Sequence, residues 1–300
     1  MKPIRVLIDK IIDANQRQHI QTITITYEKF KEDSVTSELT IDTYSDEVFN
    51  QFQLGMISLG LKSGVDVSAY ASPEFSWSQM GMIYDGLTEK LDVTVYANPQ
   101  YSFRQMDQIR NGLKSGVDVS VYASPEFSWK QMYMILMGLE SGADVSAYAS
   151  PEFSRKQMGM IYDGLIEELD VTVYANPQYD FKQMYMILMG LESGVDVSAY
   201  ANPVFDFEQM SAILEGLKKG LDVTVYANPQ YSSRQMYMIL MGLKSGVDVS
   251  AYANPAFDLE QMSAILGDLK DGLDVTIYAK PEYSVKEMYA MRFQLEKQQK

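Results

Sequence analysis

The sequence predicts a mainly α protein: a helical-repeat solenoid of about ten units, headed by a small N-terminal α+β or β-hairpin module. Three observations predict it. Nine prolines, Pro73, Pro99, Pro125, Pro151, Pro177, Pro203, Pro229, Pro255 and Pro281, follow one another at a constant spacing of 26 residues. Each is followed at fixed offsets by the same helix-start signature. Residues 1–43 stand outside this period and alternate polar with apolar instead. A unit this short cannot bury its apolar face alone, so such repeats stack and the core grows linearly with the chain. The expected shape is an elongated, right-handed or superhelical array, with a radius of gyration above the ~19 Å of a globule of this length.

In chain order, the module at 1–43 comes first. Arg5 to Ala14 fits a short helix or a strand. Gln21 to Tyr27 alternates strictly and reads as a strand, with Ser37 to Asp42 as its hairpin partner and Lys29 to Ser34 as the turn region. Open solenoid ends need cover, so this module reads as a cap. Residues 44–300 form the array. Residues 44–72 are a worn first repeat, in which Tyr44, Phe49, Leu54, Ile57, Gly60, Leu61, Gly64 and Asp66 stay in phase and Glu47 replaces the proline. Residues 281–300 lose the glycines and the Asp and end in polar LEKQQK, the expected C-terminal cap.

Within one repeat, Pro125 to Ser150, Ser128 and Gln131 stand as a capping box, and Phe127 and Met132 as a hydrophobic staple. The box recurs eight more times with only Ser/Asp and Gln/Glu exchanges, ending at Ser284/Glu287. Met132, Ile135 and Leu139 share one helix face, the expected core stripe. Gly142 is placed to end the helix in the left-handed conformation. Gly138 lies inside the helix at a cost of roughly 1 kcal/mol against alanine, which points to close approach between neighbouring helices. The rest, Ala143 to Ala149, fits either a strand or a short helical turn capped by Asp144. The Asp recurs in every repeat, from Asp66 to Asp274. Stacked parallel strands would set these carboxylates ~4.8 Å apart, an unfavourable like-charge ladder; helical layers at ~8–10 Å relax it. The helical turn is therefore expected, with an α/β horseshoe as the alternative.

Composition narrows the function classes. The net charge is −15, and residues 1–45 are nearly neutral, so the array carries almost all of it. Such a surface repels nucleic acid and anionic membranes and suits a basic protein partner, with a homodimer left open. There is no cysteine and one histidine, His19, so a thiolate site is absent and a catalytic or zinc site would hang on His19. Gly112-Leu-Lys-Ser-Gly116 has its glycines in the wrong places for a phosphate loop. Asp268 to Asp274 lacks the position-12 Glu of a calcium loop. Asn98-Pro99-Gln100-Tyr101 matches an adaptor-binding pattern but falls in the turn and staple. No enzyme activity and no cofactor are expected. The start, MKPIRVLIDKIIDANQ, has no signal-peptide core and no apolar run reaches membrane-spanning length, so a cytoplasmic protein is expected.

A second helix row lies off the core stripe. Trp129/Tyr133/Met137, Phe181/Tyr185/Met189 and Tyr237/Met241 follow one another at i, i+4 and i+8, and Trp77 starts the equivalent row earlier. Intervening repeats carry Arg155/Gly159/Asp163, Phe207/Ser211/Glu215 and Leu259/Ser263/Gly267, giving a period of two repeats. The row reads as large-against-small packing or as an aromatic and Met-rich partner surface. Trp77, Trp129, Tyr133, Met137, Phe181, Tyr185, Met189, Tyr237 and Met241 are the candidate partner-binding residues.

The repeat YA-x-P-x-F-[SD]-x-x-Q-M-x-x-I-x-x-G-L-x-x-G-x-D-V-[ST], over residues 44–295, resembles tandem repeats in uncharacterised proteins of gut Firmicutes, their phages and mobile elements. The resemblance implies no enzyme activity. Its mobile-element setting implies an anti-defence role, such as an anti-restriction or anti-CRISPR inhibitor blocking a basic nucleic-acid-binding partner.

Overall fold

The computed structural model describes residues 5–12, 19–29, 35–43 and 49–298, with side chains described for 49–295 and for 297. Three strands, β1 (Arg5–Ile12), β2 (His19–Lys29) and β3 (Val35–Thr43), form an antiparallel sheet in the order β1-β2-β3. Ile8 pairs with Ile23, and Ile23 with Ile41, so the alternating residues share register across all three strands. The segment left open between helix and strand is thus strand over Arg5–Ile12. The turn expected up to Ser34 lies, beyond Lys29, outside the described residues. So do Ala14, Tyr44 and Glu47, and the side chain of His19.

Ten helices follow: α1 (Gln51–Ser63), α2 (Trp77–Thr88), α3 (Phe103–Ser115), α4 (Trp129–Ser141), α5 (Arg155–Ile166), α6 (Phe181–Glu192), α7 (Phe207–Lys218), α8 (Ser233–Lys244), α9 (Leu259–Lys270) and α10 (Val285–Gln298). The chain forms two compact units: residues up to Gly142 with Ala149–Pro151, and Ala143–Tyr148 with the residues from Glu152 onward. In the first, α1, α2, α3 and α4 pack in succession; in the second, α5, α6, α7, α8 and α9 do, with α10 against α9. This is a helical-repeat solenoid, and residues 49–298 contain no strand, which removes the horseshoe.

The ambiguous segment is a three-residue 3-10 turn, as at Val93–Val95 and Val197–Ala199. Its Asp caps it: Asp196 accepts from the Ser198 N–H at 2.9 Å. At Asp92 the Thr94 hydroxyl adds a second bond at 2.6 Å. A hydroxyl two residues on adds to the cap likewise at Asp66, Asp118, Asp170, Asp222 and Asp274, which accounts for the motif Asp-Val-[Ser/Thr]. The hydroxyl bond also holds the Asp118, Asp222 and Asp274 carboxyls below their ordinary value.

Two expectations need correction. The core stripe is Met and Ile without the Leu: Met80, Ile83, Met184 and Ile187 are fully buried, whereas Leu87, Leu139, Leu191 and Leu243 are half-buried. The place of the Leu is taken by the internal glycine one residue earlier and by the Tyr of the following turn. The second correction concerns that glycine. It is not a contact between helices. A Cβ on Gly86 would stand 1.9 Å from the Tyr96 hydroxyl and 2.9 Å from a Val93 methyl, both in its own repeat. The hydroxyl end of Tyr96 reaches over the glycine and donates to the Met82 carbonyl at 3.1 Å. Burial pushes the ionisation of its hydroxyl upward, so it remains a donor. Buried hydroxyls need such a partner. In the repeats that keep it, the glycine leaves room for the tyrosine of the following turn.

The capping-box Gln has a second task that the sequence did not reveal. In α2 its Oε1 accepts the Ser76 N–H at 2.7 Å, while its Nε2 donates to the Pro99 and Tyr101 carbonyls at 2.9 and 2.6 Å. In α6, Gln183 does the same to Pro203 and Phe205 at 3.0 and 2.7 Å. One amide therefore closes its own helix start and stitches it to the turn of the next repeat. A carboxylate would accept but could not donate. Glu appears at this place once, as Glu287 in α10.

Candidate partner-binding face

Because the box fixes each helix start, the residue after the cap emerges at an equivalent place in every repeat. Trp77, Phe103, Trp129, Arg155, Phe181, Phe207, Ser233 and Leu259 are these first helical residues. The residues four and eight further along lie on the same side of the helix. Of the candidates, Trp77, Tyr133, Tyr185 and Met241 are exposed, at 53%, 42%, 43% and 47%. Trp129, Met137, Phe181, Met189 and Tyr237 are half-buried. The alternation of large and small has a local cause at one place: the Tyr237 hydroxyl lies 3.1 Å from the Ser211 hydroxyl on the preceding helix. Tyr185, whose equivalent in the preceding repeat is Gly159, keeps an exposed ring.

The wider apolar surface below the row escaped the sequence reading. Met134, Leu136, Met186, Leu188 and Leu240 are buried, so the helices that carry the exposed Tyr133, Tyr185 and Met241 are anchored by apolar residues beyond the Met and Ile stripe. In the first unit the matching place on α3 is Arg110, which meets Glu89 and Asp107 at 3.3 and 3.2 Å.

Two aromatics were overlooked. Phe52 is 61% exposed and its ring centre lies 6.2 Å from that of Trp77. Phe103 is 43% exposed. Listing the first helical residue repeat by repeat would have found Phe103. Basic residues stand one position further along. In the first unit the Arg104 guanidinium lies 5.4 Å from the Trp129 ring centre and 5.6 Å from that of Phe103, and the Lys130 ammonium lies 5.6 Å from Trp129. In the second, Lys156 sits over Phe181 at 4.1 Å and Lys182 over Phe207 at 5.7 Å. Cations at such distances are attracted to the ring faces.

The Asp row, by contrast, is exposed and spent on capping. Among the described residues no group of three or more His, Asp or Glu is placed to hold a metal, and no helix is long and apolar enough to cross a membrane. Compared with family models, with curated proteins and with solved structures, the chain matches none.

Proposed function

We propose that the protein is a non-enzymatic protein-binding scaffold, and that the aromatic and Met-rich row is its binding face. One observation carries this reading: Trp77, Tyr133, Tyr185 and Met241 remain between two fifths and just over half exposed on helices whose other apolar residues are buried or half-buried. Aromatics with free edges lose little conformational entropy on binding and dominate interface energetics. The row recurs in each unit. The test is the pair Tyr133→Ala and Tyr185→Ala. The expected result is weaker capture of a partner or weaker self-association, with the melting temperature nearly unchanged. A loss of about 3–5 kcal/mol of stability, as for buried aromatics, would make the row core and reject the face.

A second reading is an acidic anti-defence inhibitor that occupies a nucleic-acid site on a basic partner. The exposed Asp row supports it, since hydroxyl-bonded carboxylates such as Asp118 and Asp248 stay ionised. It requires that a nucleic acid compete with the protein for the basic partner; failure of that competition would refute it.

A further inference from the structure

The array is strongly acidic, yet its aromatic row carries a cationic edge. Arg104, Lys130, Lys156 and Lys182 each follow the first helical residue and are exposed. Among the described residues none of the four forms an ion pair. Arg110, Lys114, Lys244 and Arg292 form them elsewhere, while Lys62, Lys90 and Lys270 do not. Glu74 and Glu126, in the turns before α2 and α4, do not pair with them either.

Their placement also works against helix stability. The first turn of a helix has a partial positive charge, which favours acids and disfavours cations. Helices α3, α4, α5 and α6 have no acidic residue in that turn and a cation instead. Only α7, α9 and α10 carry an acid there, Glu208, Glu260 and Glu287. A surface selected for stability alone would reverse these charges. The stacking rings hold the cations: Arg104 between Phe103 and Trp129, Lys130 on Trp129.

Resting on the scaffold reading above, we infer that the row Phe52, Trp77, Phe103, Arg104, Trp129 and Lys130 in the first unit docks an acidic segment of a partner protein. Carboxylates of that segment meet Arg104 and Lys130, and its apolar side chains lie on the open edges of Phe52, Trp77 and Phe103. The charge complementarity is local and opposite in sign to the net charge, which keeps long polyanions away by repulsion. A short acidic peptide has little charge to repel and can accept bidentate bonds from Arg104. Lys156 on Phe181 and Lys182 on Phe207 give the second unit the same chemistry.

The experiment measures anisotropy of a labelled short peptide of alternating aspartate and phenylalanine on the full chain. Two controls run beside it: the same peptide with lysine for aspartate, and a short single-stranded oligothymidylate. The expected result is saturable binding of the acidic peptide that weakens with salt. The double variant Arg104→Glu, Lys130→Glu should weaken it by at least roughly tenfold, while its melting temperature holds or rises, because acids suit the first turn. That opposition separates a binding role from a structural one. Unchanged binding in the double variant, or no binding to the wild type, overturns the inference. Preference for the lysine peptide, lost on Trp77→Ala, overturns the acidic partner and leaves the scaffold intact. Binding of the oligothymidylate alone would make the row a nucleic-acid surface and overturn it as well.

Discussion

Replacing a helix-interior glycine with alanine normally stabilises, by about 1 kcal/mol. Here Gly164→Ala should do the opposite. The new methyl would stand 2.1 Å from the Tyr174 hydroxyl, 2.9 Å from a Val171 methyl and 3.3 Å from the Tyr174 ring. Tyr174 is fully buried and its hydroxyl donates to the Met160 carbonyl at 3.0 Å. The ring must retreat by more than an ångström within a close-packed core, at a cost of about 1–3 kcal/mol. Its hydroxyl then loses its partner, which costs about 1–3 kcal/mol more. Net of the propensity gain, the loss is about 1–5 kcal/mol. Tyr174→Phe alone should cost only about 1 kcal/mol, since the carbonyl keeps its helix bond. Combining the two removes the atom at 2.1 Å, so the double variant should be more stable than Gly164→Ala alone. Urea unfolding, with hydrogen exchange of the α5 amides to localise the effect, completes the cycle. A neutral or stabilising Gly164→Ala would refute the argument, as would strict additivity. The chain contains one natural variant of this design. Asp268 replaces the internal glycine in α9, and there the Tyr278 hydroxyl donates to the Asp268 carboxylate at 2.8 Å, with Arg292 paired to the same carboxylate.

Other outcomes follow from the same geometry. Gln157→Glu forfeits donation to the Pro177 and Tyr179 carbonyls at 3.0 and 2.6 Å, and should cost about 2–4 kcal/mol in urea unfolding. Glu287 accepts the Ser284 N–H at 2.7 Å, and a glutamine keeps that acceptor, so Glu287→Gln should change stability by less than about 0.5 kcal/mol. Lys90 and Glu168 hold φ of 63° and 56° where other repeats have glycine, so Lys90→Gly or Glu168→Gly should raise stability by about 1 kcal/mol in the same assay. Hydrogen bonds from Ser or Thr hydroxyls and then from their backbone N–H groups hold the Asp66, Asp118, Asp144, Asp222, Asp248 and Asp274 carboxyls below their ordinary value, and at Asp196 the Ser198 N–H leads. The fold thus prefers them ionised. Their stabilisation is complete above the ordinary carboxyl range and is lost as pH falls through their lower folded values. Thermal melts from about pH 5 to about pH 2 should show a progressive fall, and a flat profile would refute the caps. Asp163 and Glu192, raised chiefly by burial, oppose this with a small gain near the top of that range.

Period and capping chemistry are local, so they were legible: Ser128, Gln131 and Gly142 stand where the sequence puts a helix start and end. The strand-or-turn ambiguity also yielded to a physical argument, the repulsion within the Asp row. What stayed hidden is what one repeat does to the next or to its own turn. Gln131 reads as a capping residue, and nothing local shows its amide reaching the Pro151 carbonyl at 3.0 Å. Gly86 reads as a helix defect until Tyr96 is seen above it. Among candidate site residues, the i, i+4, i+8 spacing correctly separated Tyr133 and Tyr185 from the core, but period-two alternation drew the eye from Phe103 and from the cation beside it.

Comparison of the repeats with one another separates two kinds of constraint. Where a residue closes a bond that every repeat needs, the nine copies hardly vary: the Gln that donates to the next turn, the Tyr that covers the glycine, the Asp that caps the 3-10 turn. Those places are the lattice, and a chemistry repeated at every one of them cannot distinguish one partner from another. Variation gathers instead at the first, fifth and ninth helical residues, where Trp129, Tyr133 and Met137 in α4 become Arg155, Gly159 and Asp163 in α5. Each of these side chains can change without breaking a lattice bond, because none of them makes one. A scaffold of this kind holds its specificity in that stripe. Transferring the three α4 residues into α5 should therefore leave the stability of the second unit near its original value while changing what its face binds. A large loss of stability from that transfer would show that the stripe belongs to the lattice after all.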